Sequence, residues 1–116
     1  MWEHKIFSMS FSKIYDCYIQ KVEKKWYNIK QIDEIIFWLT SYDSNQLKNI
    51  INKELSIKDF FDQAPEINEN VIKINGSICW YKIQEIKDPL MKKIRYLDKL
   101  IDELAHWKKI EKILRK

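Results

Sequence analysis

The sequence predicts a mainly α-helical fold, a compact single-domain bundle of about five to six helices, and three observations predict it. The stretch from Asp88 to Leu104 carries Leu90, Ile94, Leu97, Ile101 and Leu104 at helical spacing, behind an Asp able to cap the first turn and a Pro suited to the first helical position. Three earlier segments show the same apolar period, each preceded by Ser, Asn or Asp. The connections between segments are short, which favours antiparallel neighbours. An α+β alternative with a small β-hairpin at 71–83 stays open.

In chain order, the first helix starts at Ser10 or Ser12 and runs to about Lys24. Phe11, Ile14 or Tyr15, Tyr18, Ile19 and Val22 fall on one side, with Lys13, Asp16, Gln20, Lys21 and Glu23 facing outward. A second begins at Asn28, where Asn28 and Gln31 have capping-box spacing, and buries Ile29, Ile32, Ile35, Ile36 and Leu39 as far as Tyr42. Its few charges suit a central position. Asp43 and Gln46 repeat the box ahead of Leu47, Ile50 and Ile51, and Ser56 caps a short turn holding Ile57, Phe60 and Phe61 that Pro65 ends.

Residues 66–87 read two ways. Val71-Ile72-Lys73-Ile74, then Asn75-Gly76, then Ser77 to Ile83 has the form of a hairpin with a two-residue turn. A helix capped by Asn68 would instead place Ile72, Gly76, Cys79 and Ile83 on one face, and we favour the helix. The Asp88 helix follows, its polar side bearing Lys92, Arg95, Asp98, Lys99, Asp102 and Glu103. Arg95 with Asp98 and Lys99 with Glu103 lie one turn apart, each pair adding roughly 0.3 kcal/mol. Its apolar stripe is expected to pack on the first two helices.

The Asp88 stretch to Ala105, followed by Ile110-Glu111-Lys112-Ile113-Leu114-Arg115, closely resembles the C-terminal half of a small prokaryotic family, domain of unknown function 2200. Lys5-Ile6-Phe7, Met9-Ser10-Phe11, Asp33-Glu34-Ile35-Ile36, Trp38-Leu39-Thr40, Tyr42 and Phe60-Phe61-x-Gln63-Ala64-Pro65 resemble its first half in order. The likeness spans nearly the whole chain and implies no catalytic or binding residue. A proline directly after the residue matching Asn68 in that family supports a helical start there.

With 116 residues, 46% hydrophobic and 33% charged, the chain suits one domain over 1–116. No run approaches the roughly 20 apolar residues of a membrane span, and Met1-Trp2-Glu3-His4-Lys5 lacks the apolar core of a secretion signal; the expectation is a cytoplasmic protein with no membrane partner. Cys17 and Cys79 are read as reduced, buried structural thiols. Lys and Arg number 21 against 17 Asp and Glu, a formal charge of +4 spread along the chain.

The chain has one Gly and five Trp, against a usual glycine share of about 7%. Trp26, Trp80 and Trp107 stand where the resembled family has Gly. An indole at a left-handed helix end costs on the order of 1 kcal/mol, which motivates the hypothesis that these positions are UGA codons decoded as Gly in the source organism. UGG at all three would exclude it. Trp38 matches a Trp of the family and is expected in the core. If Trp80 is Gly, the segment around Ser77, Ile78 and Cys79 is where a site would be sought.

Motifs that carry chemistry are sparse. His4, Cys17, Cys79 and His106 lack the paired spacing of a metal site, and one Gly excludes a phosphate-cradling loop, so no metal and no cofactor are expected. Asp102 and His106 are one turn apart without a nucleophile placed beside them. The favoured function is a non-enzymatic binding or interaction module with a protein partner. Two alternatives stand beside it. Lys92, Lys93, Trp107, Lys108, Lys109, Lys112 and Arg115 form a candidate nucleic-acid contact, cations for phosphates with an indole for stacking; Lys116 and Arg95 extend it. Cys79, Lys82, Arg95 and Asp98 form a candidate small-enzyme site, a thiol near cations being the activated form of that residue.

Overall fold

Side-chain oxygens start three of the helices, and each accepts the backbone N–H three residues on. Asp43 takes Gln46 N at 2.8 Å, Ser56 takes Asp59 N at 3.1 Å and Asp88 takes Met91 N at 3.0 Å. At Asp43 the box is complete, since Gln46 Oε1 accepts the Asp43 N–H in return. The computed structural model describes residues 5–23, 29–74, 76–78, 81–106 and 108–115. Along it run a 3-10 turn Lys5–Ser8, then α1 (Phe11–Glu23), α2 (Ile29–Thr40), α3 (Ser44–Asn52), α4 (Ile57–Asp62) and a 3-10 turn Glu69–Lys73. Two short strands follow, β1 (Ser77–Ile78) and β2 (Tyr81–Lys82), then a 3-10 turn Ile83–Glu85, α5 (Pro89–Ala105) and α6 (Ile110–Ile113). The fold is mainly α, as the sequence predicts.

The long helix α5 packs against α1, α2, α4, α6 and β1. Ile94, Leu97, Ile101 and Leu104 of the expected stripe are buried, while Leu90 is half-buried. Met91, Tyr96, Leu100 and Ala105 are buried as well, so the apolar face is wider than the single stripe read from spacing. Helices on more than one side of α5 explain the extra width. Phe11, Ile14, Tyr18 and Val22 of α1 and Ile32, Ile35, Ile36 and Leu39 of α2 complete the core. Trp38 is half-buried against it. The first turn of α1 is tied to that of α4 by an antiparallel bridge, Phe11 N to Leu55 O at 2.7 Å and Ile57 N to Met9 O at 2.9 Å. The Phe11 and Phe60 rings stack with centroids 3.9 Å apart as a result.

The segment 66–87 departs from the favoured helix. A 3-10 turn capped by Asn68 covers Glu69–Lys73, and a two-stranded antiparallel hairpin pairs Ser77 with Lys82 and Ile78 with Tyr81. The expected helical face is thereby split: Ile72 is 82% exposed and Ile83 is buried. Nor does Gly76 lie in the hairpin turn, and Asn75 lies outside the described residues. Gly76, at φ +100°, accepts the Ile83 N–H at 3.1 Å and sits at the base of the hairpin. Helical propensity in this stretch loses to Gly76, whose positive φ only glycine takes without strain. Cys79, Trp26, Trp80, Trp107 and the Asn28 cap lie outside the described residues.

Two helices close in left-handed turns without glycine. After α2, Ser41 at φ 64° donates its N–H to Phe37 O at 2.9 Å. After α3, Glu54 at φ 53° gives the paired bonds of a Schellman close, Glu54 N to Ile51 O at 3.2 Å and Leu55 N to Ile50 O at 3.3 Å. Glu54 is exposed, so its side chain contributes little packing to set against the strain. Glu54→Gly is therefore expected to raise stability by about 0.5–1 kcal/mol, read as a higher urea midpoint with an unchanged slope.

Candidate functional site

The polar edge of α5 meets α1 through residues that repeat by one turn on each helix. Asp98 Oδ1 accepts the Tyr18 hydroxyl at 2.5 Å, and its Oδ2 accepts Arg95 Nη1 at 2.9 Å. One turn on, Lys21 Nζ lies 3.1 Å from Asp102 Oδ1. His106 Nδ1 lies 2.7 Å from the Asp102 backbone oxygen and 3.5 Å from its carboxylate, with the imidazole 73% exposed. A second phenol bridges α1 to α2, Tyr15 donating to Asp33 Oδ1 at 2.5 Å. Tyr42 donates to Phe60 O at 2.6 Å.

These phenols are held in the protonated form. Burial raises Tyr18 well above the ordinary value of 10, reinforced by the Asp98 charge and hydrogen bond and opposed by Arg95. Burial likewise raises Tyr15, with the Asp33 hydrogen bond and charge adding to it, and pushes Tyr42 up to about 12. Each hydroxyl keeps its proton and donates a hydrogen bond to a fixed partner, Asp98, Asp33 or the Phe60 carbonyl. Asp98, taking a hydrogen bond on each oxygen, ties α1 to α5.

Of the proposed enzyme set, Arg95 and Asp98 come together, while Lys82 is exposed on β2, the strand beyond the one that packs on α5. Cys79 lies outside the described residues. Cys17, expected to be buried, is exposed on α1; Tyr18, not its neighbour, takes the core-facing position one residue on. Among the described residues, no group of three or more His, Cys, Asp or Glu gathers in metal-binding geometry.

The proposed nucleic-acid set is partly neutralised. Arg115 grips Glu103 with both terminal nitrogens, Nη1 to Oε1 at 2.7 Å and Nη2 to Oε2 at 2.8 Å, and Lys108 Nζ stands 3.5 Å from the same carboxylate. Lys99, expected opposite Glu103, instead reaches Ser77 O at 3.4 Å. Lys92 and Lys93 are half-buried, and Lys109 and Lys112 are exposed. Trp107 and Lys116 lie outside the described residues. Sequence reasoning missed Tyr18, Lys21 and Glu103 as linkers. Their partners are 80, 81 and 12 residues away, and spacing within one helix carries no signal for such pairs.

The class defined by these features is a small helical domain in which several charged side chains of α5 join it to its neighbours. The chain belongs to the family described as an uncharacterized protein conserved in bacteria, DUF2200, whose model matches residues 5–115. Among solved structures it is similar to that of the uncharacterized protein SP1917, with a TM-score of 0.91 and 37% identity, covering 97% of this chain and 93% of that one. No curated protein matches the chain. No helix among the described residues is long and apolar enough to cross a membrane.

The raised tyrosines predict a loss of stability at alkaline pH. Because the folded state holds these protons more tightly than the unfolded chain, the associated stability is fully present below pH 10 and falls as the pH climbs through 10 toward about 12 for Tyr42, and higher for Tyr15 and Tyr18. An ultraviolet titration is expected to show tyrosinate from these three emerging together with loss of helical circular dichroism, and Tyr18→Phe is expected to weaken that loss. Ionisation of all six tyrosines near pH 10 with the helices intact contradicts the assignment.

Proposed function

We propose that the protein is a cytoplasmic, non-enzymatic interaction module that engages a protein partner through the 3-10 turn Glu69–Lys73. The observation that carries this is Ile72, a large aliphatic side chain left 82% exposed on a turn whose neighbours Val71 and Ile74 are buried and joined by a backbone hydrogen bond. The ion pairs of α5 support it. A carboxylate occupied by Tyr18 and Arg95, and another by Arg115 and Lys108, serve the fold better than they serve proton transfer. The same pairing supports a protein partner over a nucleic acid, because Arg115 and Lys108 share the Glu103 carboxylate and are partly neutralised by it.

A photoreactive phenylalanine analogue placed at position 72 in the native cell is expected to give one discrete heavier adduct containing a second protein. The same analogue at Lys58, exposed on α4, is expected to give none. Identical adduct patterns at both positions, or none at 72, overturn the proposal. Tight binding to DNA or RNA that falls steeply with salt replaces it with the nucleic-acid alternative.

A further inference from the structure

We infer that the C-terminal segment 108–115 is a displaceable strap occupying a docking site for a short cationic and apolar helix, an inference that rests on the interaction-module reading and locates a second surface for it. Beyond α5 the chain stops being helical at His106 and re-forms only four residues of helix, Ile110–Ile113, whose first residue is preceded by Lys109 without a side-chain cap. A helix this short has no stability of its own. Two side-chain anchors hold it, alongside Lys108, whose backbone N–H donates to Glu103 O at 3.1 Å.

One is Ile113, fully buried, with Ile110 and Leu114 half-buried beside it against α5. The other is the Glu103 carboxylate, 11% exposed, which receives the Arg115 guanidinium in the paired geometry of a charge-assisted clamp. Arg115 also donates to Ile113 O at 2.6 Å, locking the two anchors into one unit, and its own carbonyl accepts from Asn70 Nδ2 at 3.1 Å. Asn70 belongs to the same 3-10 turn that presents Ile72 outward, so the strap ends beside the proposed partner surface.

When the strap lifts, it uncovers an apolar flank of α5 with a carboxylate at its rim. The chemistry that fits is the strap's own: a short helix with a buried aliphatic residue and an arginine two positions later. Charge complementarity with Glu103 selects the arginine, since a lysine is a point charge and does not make the paired contact.

Amide hydrogen exchange on the full chain tests the opening. Ile113 and Leu114, whose N–H groups are bonded within the strap, are expected to exchange at least about tenfold faster than Leu97, Leu100 and Ile101; equal rates overturn the strap. For docking, the full chain bearing Arg115→Ala is titrated with a synthetic peptide of residues 108–115. Saturable binding is expected, weakened at least about tenfold when Glu103→Gln is added or when the peptide carries Ala in place of its Arg. Binding indifferent to Glu103, or no binding, overturns the docking site. If that happens while the adduct at position 72 still forms, only the strap fails and the module reading stands.

Discussion

Burial of the apolar face of α5 is the interaction on which the other elements depend. Ile94, Leu97, Leu100, Ile101 and Leu104 are all at or below 1% exposure, and burial of each contributes about 1.5–3 kcal/mol relative to an exposed side chain. The elements that bury this face are α1, α2, α4, α6 and β1, most of the rest of the molecule. None of those elements is long enough to be stable in water by itself. The helices among them depend on tertiary packing, to which α5 contributes the shared face.

Polar groups then fix where each neighbour sits. Asp98 and Asp102 bind Tyr18 and Lys21 of α1, Glu103 binds Arg115 beyond α6, and Lys99 reaches the backbone of β1. Exposed pairs such as Lys21–Asp102 add little energy. They specify registry, because a one-turn slip of α1 along α5 in either direction would no longer set both the Tyr18 hydroxyl and the Lys21 ammonium opposite a carboxylate. The charged edge that the sequence suggested as a solvated face or an acid–base pair is therefore largely connective, and that pattern shapes the functional reading.

Elements governed by local rules were legible from residues alone. The Asp43, Ser56 and Asp88 caps and the stripes of α1, α2 and α5 follow from side chains within four residues of one another, which a sequence displays directly. Residues 71–83 were not, because hairpin and helix patterns overlap there and the outcome turned on Gly76 at positive φ. Cys17 shows the same limit: being one residue from Tyr18 on a helix separates an exposed position from a buried one, and composition cannot tell them apart. The pairing of Glu103 with Arg115 in preference to Lys99 depends on how the chain folds back after His106. At the candidate site, Arg95 and Asp98 were legible as neighbours, whereas Tyr18, which completes the arrangement, arrives from another helix.

The most direct measurement is urea unfolding of Leu97→Ala followed by both helical circular dichroism and tyrosine fluorescence. The account predicts a loss of about 2–5 kcal/mol, with the two signals still changing together because every neighbouring helix leans on this face. A loss below about 1 kcal/mol, or helices of the first half melting separately from α5, would contradict it.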